Sequence, residues 1–134
     1  MPPELVFLSL DNVLHLHTSA IEVEGGAGGI RELGLLESAV MTPQQQFDGA
    51  YLHPDVPAMA AAYLYHLCSN HPFVDGNKRV AAMAAYVFLD ANGCRLEASD
   101  PEFEQMVLHV AAGNTSKEEL TDWFREQVCG PRQD

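Results

Sequence analysis

From Val56 onward, the apolar side chains of Val56, Met59, Ala60, Tyr63, Leu64, Leu67 and Cys68 recur at i, i+3, i+4 and i+7, the rhythm of a helix with one apolar face. That helix is expected to end near Asn70, because Pro72 disfavours helical geometry in the residue before it. A second helical stretch opens near Asn77 and carries Val80, Met83, Ala84, Val87, Phe88 and Ala91 on one face. Ala81, Ala82, Ala85 and Tyr86 leave it little polar surface elsewhere. Such a segment cannot sit on the outside of a small protein, so it reads as a buried central helix, stopped by Asn92-Gly93. The expected fold is mainly α: a compact helical bundle around the helix that follows residues 71–76.

The flanking sequence agrees. Ser9 can cap a first helix running through Val13, Leu14 and Leu16, and a second is expected over residues 32–41, before Pro43 discourages continuation. Residues 43–57 then read as a loop or small flap. Two later helices open with capping boxes, Ser99 with Glu102 and Ser116 with Glu119, and run to about Ala112 and Val128. Any β structure is short, with residues 5–8 and 95–98 as candidate strands. No repeat, low-complexity tract or long linker divides the chain, so residues 1–134 are expected to form one domain.

Several function classes are disfavoured. No window reaches the ~18 uninterrupted apolar residues of a membrane span. Met1-Pro2-Pro3-Glu4 lacks the basic and apolar pattern of a secretory signal, so a soluble, cytoplasmic protein is expected. Cys68, Cys94 and Cys129 are widely spaced and odd in number; they read as reduced, with two of them core fillers. Of the six histidines, His15 and His17 point to different sides of a helix, which speaks against a histidine-based metal site. A net charge of -12 with only seven Lys and Arg repels a phosphate backbone, so general nucleic-acid binding is not expected. A compact anion needs only a local positive pocket, and Lys78-Arg79 is the one adjacent basic pair.

That pair lies in His71-Pro72-Phe73-Val74-Asp75-Gly76-Asn77-Lys78-Arg79. A helix N-terminus offers unpaired N–H groups and partial positive charge, and Gly76 has no side chain to obstruct a phosphate. Lys78 and Arg79 suffer in that field unless an anion relieves them; Arg can fork onto phosphate oxygens and Lys can act as a mobile point charge. Asp75 can offer a hard oxygen to Mg²⁺, and His71 can serve as a base near neutral pH. Taken singly, a histidine between helices is more often structural and an Asp-Gly-Asn more often a turn; taken together, the residues favour chemistry.

The same nine residues resemble a known family. They match the Fic motif His-Pro-Phe-x-Asp/Glu-Gly-Asn-x-Arg, and lysine at position 78 resembles the death-on-curing, or Doc, branch of Fic/Doc proteins. The likeness extends upstream through Gly29-Ile30-Arg31-Glu32-Leu33-Gly34-Leu35-Leu36-Glu37-Ser38-Ala39 and downstream to Phe88-Leu89-Asp90-Ala91-Asn92-Gly93, covering roughly residues 5–128. It implies His71 as general base, Phe73 as the loop's anchor in the core, and Asp75 as holder of the Mg²⁺ that bridges phosphates. It further implies an anion hole shaped by the backbone and amide groups of Gly76 and Asn77, with Lys78 and Arg79 on the phosphate chain. Most Fic proteins have glycine where Lys78 stands and transfer AMP. The Doc branch implies transfer of the terminal phosphate of ATP to a Ser or Thr hydroxyl of a target protein, with a translation elongation factor as the suggested target.

Two alternatives use the same residues: AMP transfer, and a catalytically silent module that binds an antitoxin, against which the intact motif argues. A Doc-type pattern has a further arginine two residues before the histidine, where this chain has Ser69. Self-inhibiting Fic proteins carry Ser/Thr-x-x-x-Glu-Gly/Asn, whose glutamate pairs with the motif arginine. Here Thr18 and Glu22 are followed by Val23, and Glu24-Gly25 has Ala20 in the hydroxyl position. The resemblance therefore implies restraint in trans, by an antitoxin that lays a short acidic or amphipathic helix beside His71 and Arg79.

Overall fold

A computed structural model of the chain describes residues 4–129; Met1, Pro2 and Pro3, on which the signal-peptide expectation rests, and the side chain of Cys129 lie outside the described residues. Six α-helices follow in order: α1 Leu10–Glu24, α2 Leu33–Met41, α3 Val56–Asn70, α4 Asn77–Ala91, α5 Asp100–Ala111 and α6 Lys117–Gln127. Their starts are chemically marked. Ser9, Ser99 and Ser116 each accept a hydrogen bond from the backbone N–H three residues on, and Asn12, Glu102 and Glu119 reach back to close reciprocal boxes. Each such cap stabilises its helix by about 1 kcal/mol.

Pro43 sits in a 3₁₀ turn, Thr42–Gln44, and the expected flap is a small hairpin. Its strands β1, Gln46–Phe47, and β2, Ala50–Tyr51, pair antiparallel through Gln46↔Tyr51 and Phe47↔Ala50. Asp48 (φ 53°) and Gly49 (φ 80°) supply the two left-handed residues of a type I′ turn. The strand expected near residue 95 is β3, Arg95–Leu96, paired antiparallel with β4, Val128–Cys129. Residues 5–8 form no strand. Side chains take the place of a ladder there: Asn92 Oδ1 accepts from Val6 N–H (2.9 Å) and Asn92 Nδ2 donates to Val6 O (2.9 Å), while Tyr63 Oη accepts from Leu8 N–H (2.9 Å).

The core is shared differently from the expectation that α4 alone is its centre. The most enclosed helix is α3, in which residues 58–64 are all buried and which packs against α2, α4, α5 and α6. Helix α4 buries Val80, Ala81, Ala84, Ala85, Phe88 and Leu89, a stripe turned from the expected one, so that Val87 is 36% exposed and Met83 only partly covered. The cause is size. Alanines on the facing surfaces of α3 and α4 let the two backbones approach closely, whereas Met83 and Val87 are displaced toward the α5 side. Cys68 and Cys94 are buried and unbridged, as core fillers should be. Among the described residues no helix is long and apolar enough to cross a membrane, and no cluster of His, Cys, Asp or Glu could hold a metal ion.

Against this core α6 seats an unusual cluster of bases. His66 Nε2 of α3 lies 2.9 Å from Lys117 Nζ, the Tyr65 ring stands edge-on to the imidazole, and buried His53 Nδ1 has no hydrogen-bond partner. Burial, then the charge of Lys117 and then His53 push His66 down to about 4. Burial also lowers His53 and Lys117, with Glu118 opposing the shift at Lys117. A folded-state pKa below the unfolded value of about 6.5 means that the unfolded chain binds the proton first. Stability contributed by neutral His66 is therefore complete above pH ~6.5 and is lost as the pH falls toward about 4. The expected slope is about 1 kcal/mol per pH unit after allowance for solvent screening. Urea denaturation at pH 6.5, 6.0, 5.5 and 5.0 should show it. His66→Gln, which keeps an acceptor for Lys117, should flatten the profile in that window; an unchanged slope would rule out His66 as its source.

Candidate active site

The residues between α3 and α4 form a tight loop bounded by two left-handed residues, His71 (φ 48°, ψ 56°) and Gly76 (φ 81°). Gly76 suits that geometry; His71 does not, and a non-glycine residue there stores strain of about 1–3 kcal/mol. Neighbouring groups hold it. Arg31 donates from Nε to His71 O (2.7 Å) and from Nη2 to Asn70 O (3.0 Å), capping the exposed carbonyls of α3. The backbone N–H groups of Arg31 and Glu32 both donate to Pro72 O (2.7 and 3.0 Å).

Phe73 is fully buried and anchors the loop. Its N–H donates to Asn77 Oδ1 and its carbonyl accepts from Asn77 Nδ2, both at 2.9 Å. Both polar atoms of the Asn77 side chain are thereby engaged inside the loop. The amide thus braces Phe73 with its oxygen and one of its two Nδ2 hydrogens, while the Asn77 backbone N–H meets no acceptor among the described residues. On the other side of Phe73 lies His17 of α1, its ring stacked on the phenyl at 3.8 Å and 7°.

The glycine-rich run after α1, Gly25-Gly26-Ala27-Gly28-Gly29, is the outer wall of this loop. Val74 N–H donates to Gly29 O (3.1 Å), Ile30 bridges to Phe73, and Ala27 N–H donates to Asp75 Oδ2 (2.9 Å). Gly26 lies against Asp75, where a Cβ would be in contact with Oδ2 at 3.4 Å, and its φ of 112° is one that L side chains rarely adopt. Asp75 keeps its other carboxylate oxygen open. One carboxylate with free lone pairs fits Mg²⁺, which takes most of its ligands from phosphates and water.

Helix α4 begins at this loop with no side-chain cap, and among the described residues no acceptor meets the backbone N–H groups of Gly76, Asn77, Lys78 or Arg79. They open on a cleft of about 930 Å³. Asp75, Gly76, Asn77, Lys78 and Arg79 line one end of it with Ile21 and Glu24; the other end runs between α4 and α5, past Met83, Tyr86, Val87, Phe103 and Leu108. His71 is exposed and is not among the residues that line this cleft. Arg79 is ion-paired with Glu24, each half-exposed. Glu24 has Ala20 where the inhibitory pattern has a hydroxyl residue, yet the fold brings its carboxylate onto the motif arginine. Lys78 is the one lysine or arginine side chain among the described residues with no hydrogen-bond or ion-pair partner. Arg31, Arg79, Arg95, Lys117 and Arg125 are all engaged. Beneath it, burial pushes the Cys68 thiol up to about 11, against a weaker pull from Lys78, so this sulfur stays protonated and is no nucleophile.

His17, Glu24 and Arg31 join the site without having been singled out for it. Two signals pointed there: a run of glycines dense enough to require close backbone approach, and an arginine just before a helix. The Fic/DOC family model matches residues 7–89, which hold α1, the glycine-rich wall, α3, the motif loop and most of α4. The chain is 46% identical over 74 residues to "Toxin Doc" of Mycolicibacterium smegmatis, a match spanning 55% of this chain and 57% of that protein, little more than half its length. To "Protein kinase doc" of Escherichia phage P1 it is 30% identical over 119 residues, which cover 88% of this chain and 92% of that one. The match takes in the loop, its two flanking helices and the wall that braces them, and by it the chain belongs to the Fic/DOC family.

Proposed function

We propose that the chain is the toxin of a toxin–antitoxin pair and that it moves the terminal phosphate of ATP onto a serine or threonine hydroxyl of a target protein. The observation that carries this reading is the uncapped start of α4, whose free N–H groups lie beside Lys78, Arg79 and Asp75. Two cations at the positive end of a helix dipole are unfavourable until an anion arrives, and a triphosphate supplies one. The names of the two relatives, a toxin and a protein kinase, support the same reading. Lys78 speaks for phosphate rather than AMP transfer, since a long cation adds bulk and charge within the anion hole and favours another orientation of the nucleotide.

In this mechanism His71 takes the proton of the target hydroxyl as its oxygen bonds to the γ-phosphorus, and the bond to the β,γ-bridging oxygen breaks to release ADP. The exposed position of His71 suits a hydroxyl carried on another protein. Gly76, Asn77 and Lys78 direct backbone N–H groups at the phosphate oxygens, and the Lys78 ammonium and Arg79 guanidinium balance their charge. Arg79 must first release Glu24, a pair between half-exposed groups worth at most about 1 kcal/mol. Asp75 would hold Mg²⁺, which when bound neutralises charge on the phosphates. A cytoplasmic elongation factor is the suggested target. An antitoxin would bind as an amphipathic helix along α4 and α5, where Tyr86 and Leu108 are exposed, with an acidic group turned to Arg79.

Incubation of cell extract with the protein and labelled ATP should add the mass of one phosphate to a protein hydroxyl, and an adenylyl adduct alone would overturn the phosphotransferase reading. His71→Ala and Asp75→Ala should each abolish transfer with the helical circular dichroism unchanged; loss of a general base costs about 10²–10⁴-fold. Lys78→Gly should reduce phosphate transfer and permit some adenylylation, a change visible in the same mass spectra. Expression of the chain alone should slow growth and co-expression of its antitoxin should restore it; harmless expression at high level would dispose of the toxin role.

A further inference from the structure

His17 touches three successive parts of the phosphate-facing loop, although it belongs to α1 and lies outside the motif. Its ring stacks on Phe73 at 3.8 Å, its Nε2 is 2.8 Å from Asp75 O, and a Cβ on Gly76 would come within 3.5 Å of its Cδ2 and Nε2. It is 5% exposed, and Asn77 is the only other buried polar residue among those described. A carbonyl can only accept, so Nε2 carries the proton and donates. The peptide that joins Asp75 to Gly76 is planar and trans, which sets the Gly76 N–H antiparallel to the Asp75 carbonyl. A donor that pulls this carbonyl toward α1 therefore turns the Gly76 N–H away from α1. Glycine readily adopts the φ of 81° found here, and a Cβ at Gly76 would press on Ile21 Cδ1 at 3.3 Å while only touching the imidazole edge.

We propose that His17 is a positioning residue that presets the 75–76 peptide so that the Gly76 N–H faces the bound phosphate. The inference rests on the phosphate-binding reading of the cleft. Stacking and hydrogen bonding are separable: His17→Phe keeps a ring against Phe73 but removes the donor, whereas His17→Gln keeps an N–H at nearly the Nε2 position but removes the ring. Two quantities would be measured on the full chain and both variants: the affinity for Mg-ATP by calorimetry, and the thermal midpoint. His17→Phe should weaken Mg-ATP binding about tenfold or more, with a smaller loss of thermal midpoint than His17→Gln. The Gln variant should bind within about threefold of wild type. A residue that merely fills space would give the opposite order, with affinity following the thermal midpoint in both variants, and that result overturns the proposal. So does wild-type affinity in His17→Phe. Failure of the wild-type chain itself to bind Mg-ATP would instead defeat the nucleotide reading, and this inference with it.

Discussion

The site depends first on a single side chain that closes a ring. Asn77 holds both the N–H and the carbonyl of Phe73, so the first residue of α4 is tied to the middle of the loop that precedes it. Few residues could do this. Aspartate has no donor for the carbonyl, glutamine is a methylene too long, and an apolar replacement would strand two buried backbone groups at about 1–3 kcal/mol each. With the ring closed, Phe73 is pinned in the core and the chain must reverse between α3 and α4 at two left-handed residues. The angle at which α4 leaves the loop, and hence the direction of its free N–H groups, follows from that closure.

Around this ring three pieces of the chain converge from one side of the sequence. His17 comes from α1, the glycine wall follows it, and Arg31 precedes α2, all before the motif itself. Most of their bonds go to main-chain atoms, Asp75 O, His71 O, Asn70 O, Pro72 O and Val74 N–H, with Ala27 N–H on Asp75 Oδ2 the exception. Of the motif's charged side chains, Lys78 has no hydrogen-bond or ion-pair partner among the described residues, while Asp75 is held through one oxygen and Arg79 by Glu24. Among the described residues the other lysine and arginine side chains are all committed to partners within the fold, and Lys78 is not.

Helix limits were legible because their signals are local. Serine boxes, Pro72 before the loop and Asn92-Gly93 after α4 act within a few residues, and helices begin and end where they indicate. Which face turns inward was harder. Periodicity places Met83 and Val87 on the same stripe as Val80 and Ala84, and only the close meeting of two alanine-rich surfaces decides that Ala81 and Ala85 go in instead. The candidate strand at residues 5–8 failed for a related reason: Asn92 and Tyr63, far away in sequence, satisfy its backbone. For the site, the motif residues announced themselves by clustering. The bracing residues His17, Glu24 and Arg31 act across 40 or more positions in contacts that no local pattern encodes.

The left-handed backbone at His71 has an evolutionary reading. Glycine is the residue that this φ and ψ favour, and an imidazole is what the proposed chemistry requires. A glycine at position 71 would relieve the stored strain while deleting the base, so the inactive protein would gain native-state stability in proportion to the strain lost. Selection for folding alone would drift toward it. If His71 is the base of the proposed reaction, a histidine kept in such a conformation across related sequences would mark continuing selection for activity, and can be looked for without any knowledge of what they modify.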